Sequence, residues 1–200
     1  MRLGNLRIGA RLGAGFGIVL LLLAVTTAVG IVKMSDLNAG TEQLVKQNWV
    51  KAKLSNYALD NARGSIARIF EAVASTDEKE TANAMQRLQA NIAALDDAIA
   101  KIEPLLVTAE GKVRIANTKE IRNRYVAAYG KVFALLKDGN KDEAAKQAYG
   151  ETYKEMHDLA DVLREEITYQ EQQFENTGIQ SVHTFETARM ELLGLGAVAL

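Results

Sequence analysis

Residues 12–32 read LGAGFGIVLLLLAVTTAVGIV, an uncharged apolar run of 21 residues. At about 1.5 Å of rise per residue, a helix of this length crosses the roughly 30 Å hydrocarbon core of a bilayer. Three arginines precede the run, Arg2, Arg7 and Arg11, and the first acidic residue after it is Asp36. By the positive-inside rule, residues 1–11 are predicted to be cytoplasmic, 12–32 to form a transmembrane helix, and the following segment to lie outside.

A second apolar run occupies residues 192–200, and we interpret residues 189–200 as the truncated start of a second transmembrane helix. Residues 33–188 would then form a periplasmic domain of a multi-pass inner-membrane protein. The alternative for the N-terminus is a cleaved signal peptide, whose apolar region is usually about 7 to 15 residues long. Thr26-Thr27-Ala28 makes a poor cleavage site, so we favour an uncleaved anchor.

Composition excludes several classes of function. The net charge is −1, which argues against nucleic acid as a partner, and the absence of cysteine excludes disulfides and thiolate metal sites. The two histidines, His157 and His183, lie far apart and outside any metal-ligand motif. We find no phosphate-binding loop or nucleophile triad, so we predict no enzyme activity, no catalytic residues, no cofactor and no metal.

The segment between the apolar runs has the pattern of four long helices, at about residues 33–74, 78–102, 111–137 and 141–189. Apolar residues alternate at spacings of three and four, as in a heptad seam. In the second helix these are Met85, Leu88, Ile92, Leu95, Ile99 and Ile102; in the third, Ile121, Tyr125, Ala128, Val132 and Leu135. The fourth helix is predicted to carry Met156, Leu159, Leu163, Ile167 and Phe174 inward. We predict an all-α fold, an up-down-up-down four-helix bundle flanked by transmembrane helices.

Two motifs give the chain a family resemblance. NLRIGARL at residues 5–12, followed by GFG at 15–17, is similar to the entry into the first membrane helix of many chemoreceptors. Arg63 and Arg68 resemble the paired arginines on the first sensor helix of amino-acid receptors, although Ala72 stands where those receptors carry a further arginine. The chain thus resembles the N-terminal half of a bacterial methyl-accepting chemotaxis protein with a four-helix-bundle periplasmic sensor domain.

The resemblance implies a function and partners. It implies a transmembrane chemoreceptor, not an enzyme, that forms a homodimer and signals through a cytoplasmic part to a chemotaxis histidine kinase and its coupling protein. A sensor of this type also occurs on membrane histidine kinases and diguanylate cyclases, which is the alternative function. A purely structural membrane-anchored bundle is the third interpretation.

Arginines and tyrosines at similar depth in the bundle form a candidate ligand site. The guanidinium group of arginine binds a carboxylate through two hydrogen bonds, and tyrosine supplies an apolar wall with one polar group. The ligand would be a small organic acid: a di- or tricarboxylate, an amino acid or an aromatic acid. The predicted ligand-binding residues are Arg63, Arg68, Arg122, Tyr125, Tyr129, Tyr149 and Tyr153.

Two locations for this site remain open. Arg63 and Arg68 are five residues apart, which separates their side chains by about 140° on one helix, so a site using both would need two copies of the chain at a dimer interface. A site within one bundle would use Arg122 and the tyrosines. Alternatively, the arginines pair with acids on neighbouring helices.

Other polar and small residues receive simpler interpretations. Asp96-Asp97 and Glu165-Glu166 are expected to lie on solvated helix faces. Three glycines within predicted helices suggest close approach of backbones or space for a ligand: Gly64, Gly130 and Gly150.

Overall fold

The computed structural model describes residues 8–199, without the side chains of residues 11, 198 and 199. Arg2, Arg7, the beginning of the NLRIGARL motif, the Arg11 side chain and Leu200 therefore lie outside the described part of the chain. The chain divides into two compact units. One comprises Met1–Lys46 and Phe174–Leu200; the other, called here the sensor bundle, is Gln47–Gln173. The predicted limits of the periplasmic domain, 33 and 188, stay a prediction.

All regular elements of the described residues are helical, which confirms the predicted all-α fold. Two π-helical segments, Gln43–Asn48 and Ala148–Thr152, and a 3-10 turn, Glu103–Leu105, accompany six α-helices. The α-helices are α1 (Ile8–Glu42), α2 (Trp49–Ala74), α3 (Glu78–Ile102), α4 (Ala109–Lys137), α5 (Lys141–Gln147) and α6 (Tyr153–Ala199). The predicted first and fourth helices are each interrupted by one of the π-helical segments.

Polar caps and one glycine turn set the helix boundaries. The Asp77 side chain accepts a hydrogen bond from the backbone N–H of Lys79 at 2.7 Å, which caps α3 as its position before Glu78 predicts. Thr108 caps α4 in the same way, accepting from the N–H of Gly111 at 3.0 Å. Between α4 and α5, Gly139 adopts a φ of 78°, a conformation that other residues rarely take.

Side-chain contacts give the order of the helices within the sensor bundle. Arg122 of α4 pairs with Asp96 of α3, and Arg124 of α4 donates to Glu155 of α6 at 2.9 Å. Phe70 of α2 stacks on Tyr149, just before α6. Asn91 of α3 donates to the backbone carbonyl of Asn61 in α2. The long helices therefore follow the order α2, α3, α4 and α6 around the bundle, which is also their order along the chain.

The predicted seams supply much of the core from α3, α4 and α6, and α2 adds Leu59, Ile66 and Ile69. Leu88, Leu95, Ile99, Val132 and Leu159 are all buried. The prediction was wrong at Phe174, which is 46% exposed. After Leu163, the buried positions of α6 are taken by two polar residues, Glu166 and Gln170, so the apolar seam ends before Phe174. Glu166 is 5% exposed, which corrects the expectation that it lies on a solvated face.

The other unit contains α1 residues up to Glu42 and the second half of α6. Lys33 forms an ion pair with Glu191 at 3.4 Å, and a Cβ built on Gly40 would lie 2.9 Å from Ser181 Oγ, so the two helices approach closely there. Among the described residues, one helical stretch, Ile8–Ala74, is long and apolar enough to span a membrane. Its apolar side chains in the predicted span are largely exposed, as lipid-facing residues would be.

Candidate functional site

Tyr125 lies in the centre of the bundle and links α4 to α2. Its side chain is fully buried, and its hydroxyl lies 2.6 Å from Ser65 Oγ. Ser65 donates its only hydroxyl proton to the carbonyl of Ala62 at 2.6 Å, so Tyr125 is the donor in the bond to Ser65. Burial raises the pKa of Tyr125 far above its ordinary value, which keeps the phenol neutral.

Arg122, one turn before Tyr125, is already paired with an internal carboxylate. Its Nε donates to Asp96 Oδ1 at 2.7 Å and its Nη2 donates to Asp96 Oδ2, while Nη1 donates to Asn123 at 3.1 Å. This is the two-pronged geometry in which arginine binds carboxylates. A ligand at Arg122 would therefore have to displace Asp96, the residue that was expected to be solvated.

Tyr129 extends the interior cluster toward Phe133. Its ring meets Tyr125 edge-on at 5.5 Å and Phe133 edge-on at 6.2 Å between centroids. The side chain is half-buried, and burial raises the pKa of its hydroxyl, with the Arg122 charge acting in the opposite direction. Arg122, Tyr125 and Tyr129 thus form the single group on α4 that their spacing predicts.

Tyr149 and Tyr153 belong to a different group, called here the outer aromatic face: Phe70, Tyr149, Tyr153 and His157. Phe70 stacks on Tyr149 at 4.6 Å and lies 6.1 Å from Tyr153, while His157 packs edge-on against Tyr153 at 4.4 Å. Both tyrosines are exposed, at 60% and 42%. The π-helical segment that contains Tyr149 widens the turn, and both rings reach Phe70.

Arg63 and Arg68 lie on different sides of α2, as their spacing predicts. Arg68 pairs with Glu71, which also contacts Arg87 of α3 at 3.3 Å, so Arg68 lies toward α3. Arg63 lies seven residues, or nearly two helical turns, before Phe70, so the two residues lie on the same side of α2. Phe70 is the residue of α2 that belongs to the outer aromatic face.

Arg63 also differs from the other arginines in its electrostatic surroundings. The described residues 47–173 contain seven arginines, and six of them form ion pairs with carboxylates. The seventh, Arg63, is exposed and forms no ion pair with any residue that the structure describes. Its guanidinium group is thus available to an external anion.

The three glycines predicted to matter fall into two groups, one packed closely against a neighbouring helix and two beside open space. A Cβ on Gly64 would lie 2.1 Å from Asn91 Nδ2, so Gly64 allows α3 to approach α2, as predicted. Gly130 and Gly150 have open space where a Cβ would stand, which excludes close packing at those two positions. Gly150 adjoins Tyr149, so a side chain could be added there beside the outer aromatic face.

Sequence reasoning missed four residues of these groups: Ser65, Phe70, Asp96 and His157. The position of Phe70 seven residues after Arg63 could have identified it, whereas Asp96 meets Arg122 only through the packing of α3 on α4. Within residues 8–199, no group of three or more histidine, cysteine or acidic side chains has the arrangement of a metal site.

The sequence matches one known family over most of its length. The family model described as "Four helix bundle sensory module for signal transduction" matches residues 5–185. No curated protein shows significant sequence similarity to the chain. Modules of this family are non-catalytic signalling domains of membrane receptors. The chain therefore belongs to the family of four-helix-bundle sensory modules, the sensor half of methyl-accepting chemotaxis proteins.

Proposed function

We propose that this protein is a homodimeric chemoreceptor of the inner membrane whose periplasmic sensor binds a small organic carboxylate. Ligand binding shifts the population of two conformations of the sensor, and a cytoplasmic part passes this change to a chemotaxis histidine kinase through its coupling protein. Family membership supports the signalling role. The apolar, exposed surface of the predicted first transmembrane span supports the membrane location.

The single observation that carries the choice of ligand is the guanidinium of Arg63, which has no ion pair among the described residues. It lies on the same face of α2 as Phe70, whose ring packs against two exposed tyrosines. Arginine recognises a carboxylate through paired N–H donors, and aromatic rings bind the apolar part of an organic acid. Arg63, Tyr149 and Tyr153 are therefore the primary ligand contacts in this proposal. Arg68 and Arg122 already hold Glu71 and Asp96, so they are secondary candidates.

The interior group has a supporting role in the same proposal. Tyr125 is fully buried and bonded to Ser65, so it would contact a ligand only after the core had opened. Tyr129 is half-buried and lies at the edge of that core. Tyr125 joins α4 to α2, which carries Arg63, through its bond to Ser65, and the ring of Tyr129 packs against that of Tyr125.

A binding screen tests the ligand class. The chain is reconstituted in lipid nanodiscs, and its thermal midpoint is measured with di- and tricarboxylates, amino acids and aromatic acids at millimolar concentration. A ligand that binds only the folded state raises the midpoint, and at a hundred times its Kd it stabilises by about 2.7 kcal/mol. Amines and neutral analogues of each acid are the controls. If no acid acts differently from its neutral analogue, the ligand is not a carboxylate.

A chimera tests the signalling role separately. Residues 1–188 are joined to the second transmembrane helix and cytoplasmic domain of a chemoreceptor whose kinase output is measurable. An acid identified in the binding screen should change kinase activity with the same concentration dependence as its binding. Binding without any kinase response would instead favour a sensor adapted to another output, such as a membrane histidine kinase or a diguanylate cyclase.

A further inference from the structure

Five polar residues are buried at the end of the sensor bundle where the chain enters at Gln47 and leaves at Gln173. We call this set the polar layer: Asn48, Lys51, Ser55, Glu166 and Gln170. Each is at most 9% exposed. Within each helix they are three or four residues apart, so they continue the inward-facing seams of α2 and α6. The next inward positions toward the middle of the bundle are apolar and buried, for example Leu59 on α2 and Leu163 on α6. The polar layer thus replaces the apolar core at this end.

The polar layer does not satisfy its own hydrogen bonds. Gln170 Nε2 donates to Glu166 Oε1 at 2.6 Å. Three further buried atoms in the layer have no hydrogen-bond partner among the residues that the structure describes: Asn48 Nδ2, Ser55 Oγ and Gln170 Oε1. An unsatisfied buried polar atom is costly, and native proteins usually satisfy such atoms with internal water that bonds two to four groups. Donors and acceptors are both present here, so water fits the chemistry of the layer.

The charged members of the layer are also not joined directly. Lys51 and Glu166 act on each other electrostatically, but they form no ion pair within 4 Å among the described residues. The other charges that act on Glu166 are Arg114 and Glu110 of α4, and none comes from α3. Burial raises the pKa of Glu166 and lowers that of Lys51. Among the described residues, α2 and α6 are therefore not joined by an ion pair between Lys51 and Glu166.

A π-helical segment adjoins the layer and contains one of its members. Gln43–Asn48 immediately precedes α2, and Asn48 is its last residue. A π-helical turn bonds residue i to i+5, so it holds one residue more than an α-helical turn and often occurs at functional sites. Moving this excess residue along the helix changes the register of the next turns without breaking the helix.

We propose that the polar layer is a hydrated switch at which α2 and α6 change between two packings. An apolar seam resists such a change because its side chains interlock at crystal-like density. A hydrated polar seam allows it, because water can exchange hydrogen bonds as the helices move. The layer lies where the chain enters the sensor bundle at Gln47 and leaves it at Gln173. A change of packing at the layer therefore moves both of these chain segments together. This inference goes beyond the proposed function and does not depend on the identity of the ligand.

The test replaces the layer by apolar residues in the 200-residue chain in lipid nanodiscs. The layer variant carries Lys51→Met, Ser55→Ala, Glu166→Leu and Gln170→Leu. Replacing buried charged groups by apolar ones is often stabilising, so the thermal midpoint should rise by about 4 °C or more. Hydrogen exchange of backbone amides in residues 47–58 and 163–173, measured by mass spectrometry, should slow at least about tenfold because the second packing is lost.

Thr152→Val is the matched control. Thr152 is also fully buried, and no described residue bonds to its hydroxyl. It lies 18 residues before Gln170, roughly 27 Å away along the helix. The control should leave amide exchange in the polar layer unchanged, whatever its effect on the midpoint. Equal slowing in the control and in the layer variant would overturn the proposal, because the effect would then be one of global stability.

A single substitution keeps the test decisive if the layer variant fails to fold. Ser55→Ala removes one unsatisfied hydroxyl and changes the volume little. Amide exchange in residues 47–58 should slow, because one group that binds water between the helices is lost, and the midpoint should change little because no bond to protein is lost. Unchanged or faster exchange in residues 47–58 of Ser55→Ala would overturn the proposal. So would an exchange rate that is the same in the layer variant and in the unmodified chain.

Discussion

Arg122 and Asp96 join α4 to α3 through two parallel donor–acceptor contacts, Nε to Oδ1 at 2.7 Å and Nη2 to Oδ2. The residue predicted to hold a ligand carboxylate thus holds a carboxylate of the protein itself. The pair is partly exposed, with 22% of the Arg122 side chain and 43% of the Asp96 side chain accessible. Its energy is therefore larger than that of a surface pair and smaller than that of a buried one.

The Arg122–Asp96 pair should contribute to stability in a way that a surface pair does not. Arg122→Ala is expected to lower the free energy of unfolding by about 1 kcal/mol, because paired charged hydrogen bonds in a partly dry site are lost. Urea denaturation of the single variants and of Arg122→Ala with Asp96→Ala measures the coupling. Arg164→Ala is the control, since Asp161 on its own helix is the one acid with which Arg164 pairs in the described part of the chain. An equal loss in the control would assign the effect to helix propensity.

The bond between Tyr125 and Ser65 should show an asymmetry. Tyr125→Phe removes the donor, but Ser65 keeps its bond to Ala62, so the expected cost is about 1 kcal/mol. Ser65→Ala leaves the fully buried Tyr125 hydroxyl without a partner and should cost about 1 to 3 kcal/mol.

The double variant Ser65→Ala with Tyr125→Phe completes this comparison. Both polar groups are then absent, so it should be more stable than Ser65→Ala alone. Thermal denaturation of the three variants checks the order. A double variant less stable than both single variants would contradict it.

Helix existence and order follow from the sequence because apolar spacing and capping residues are local signals. Asp77 caps α3, as its position predicts. The predicted seam positions of α3 from Leu88 onward are buried: Leu88, Ile92, Leu95, Ile99 and Ile102. The partner of Arg122 is not a local signal, since Asp96 lies 26 residues away on another helix. Its contact depends on the rotation of α3 against α4, which heptad spacing defines only approximately.

The division of the tyrosines into two groups has a similar cause. Depth along the bundle is predictable from a rise of about 1.5 Å per residue, and it places all of them at a similar level. Their separation depends on the face of each helix. Around Tyr149 the face depends on the π-helical segment, which apolar periodicity does not reveal. The burial of Glu166 was missed because two adjacent glutamates resemble a solvated surface.

Glu166 should make stability depend on pH. Its folded pKa is raised above the ordinary 4.5, chiefly by burial. Its favourable contribution is therefore complete below the unfolded pKa and is lost as the pH rises through the folded pKa. Glu166→Gln cannot ionise, so its stability relative to the unmodified chain should increase as the pH rises from below about 4.5 toward neutral. Urea denaturation across that range measures the difference. A difference that falls with pH would refute the assignment.

Arg63 should determine the affinity for the carboxylate ligand. Its guanidinium is exposed and pairs with no carboxylate within residues 8–199 as described. Each hydrogen bond to an ionised group contributes roughly 1.5 to 3 kcal/mol. Arg63→Ala should therefore weaken binding of an acid found in the screen about tenfold to a hundredfold. Arg63→Lys should also weaken it, because a single ammonium group cannot reproduce the paired contact.

Tyr153→Ala should weaken binding of aromatic acids more than that of aliphatic ones, since it removes a ring from the outer aromatic face. Calorimetry on these variants, with Arg164→Ala as the control, gives the comparison. If Arg122→Ala abolishes binding while Arg63→Ala leaves it unchanged, the ligand displaces Asp96 inside one bundle. If Arg63→Ala and Arg68→Ala both weaken binding and Arg122→Ala does not, the site lies between two copies of the chain.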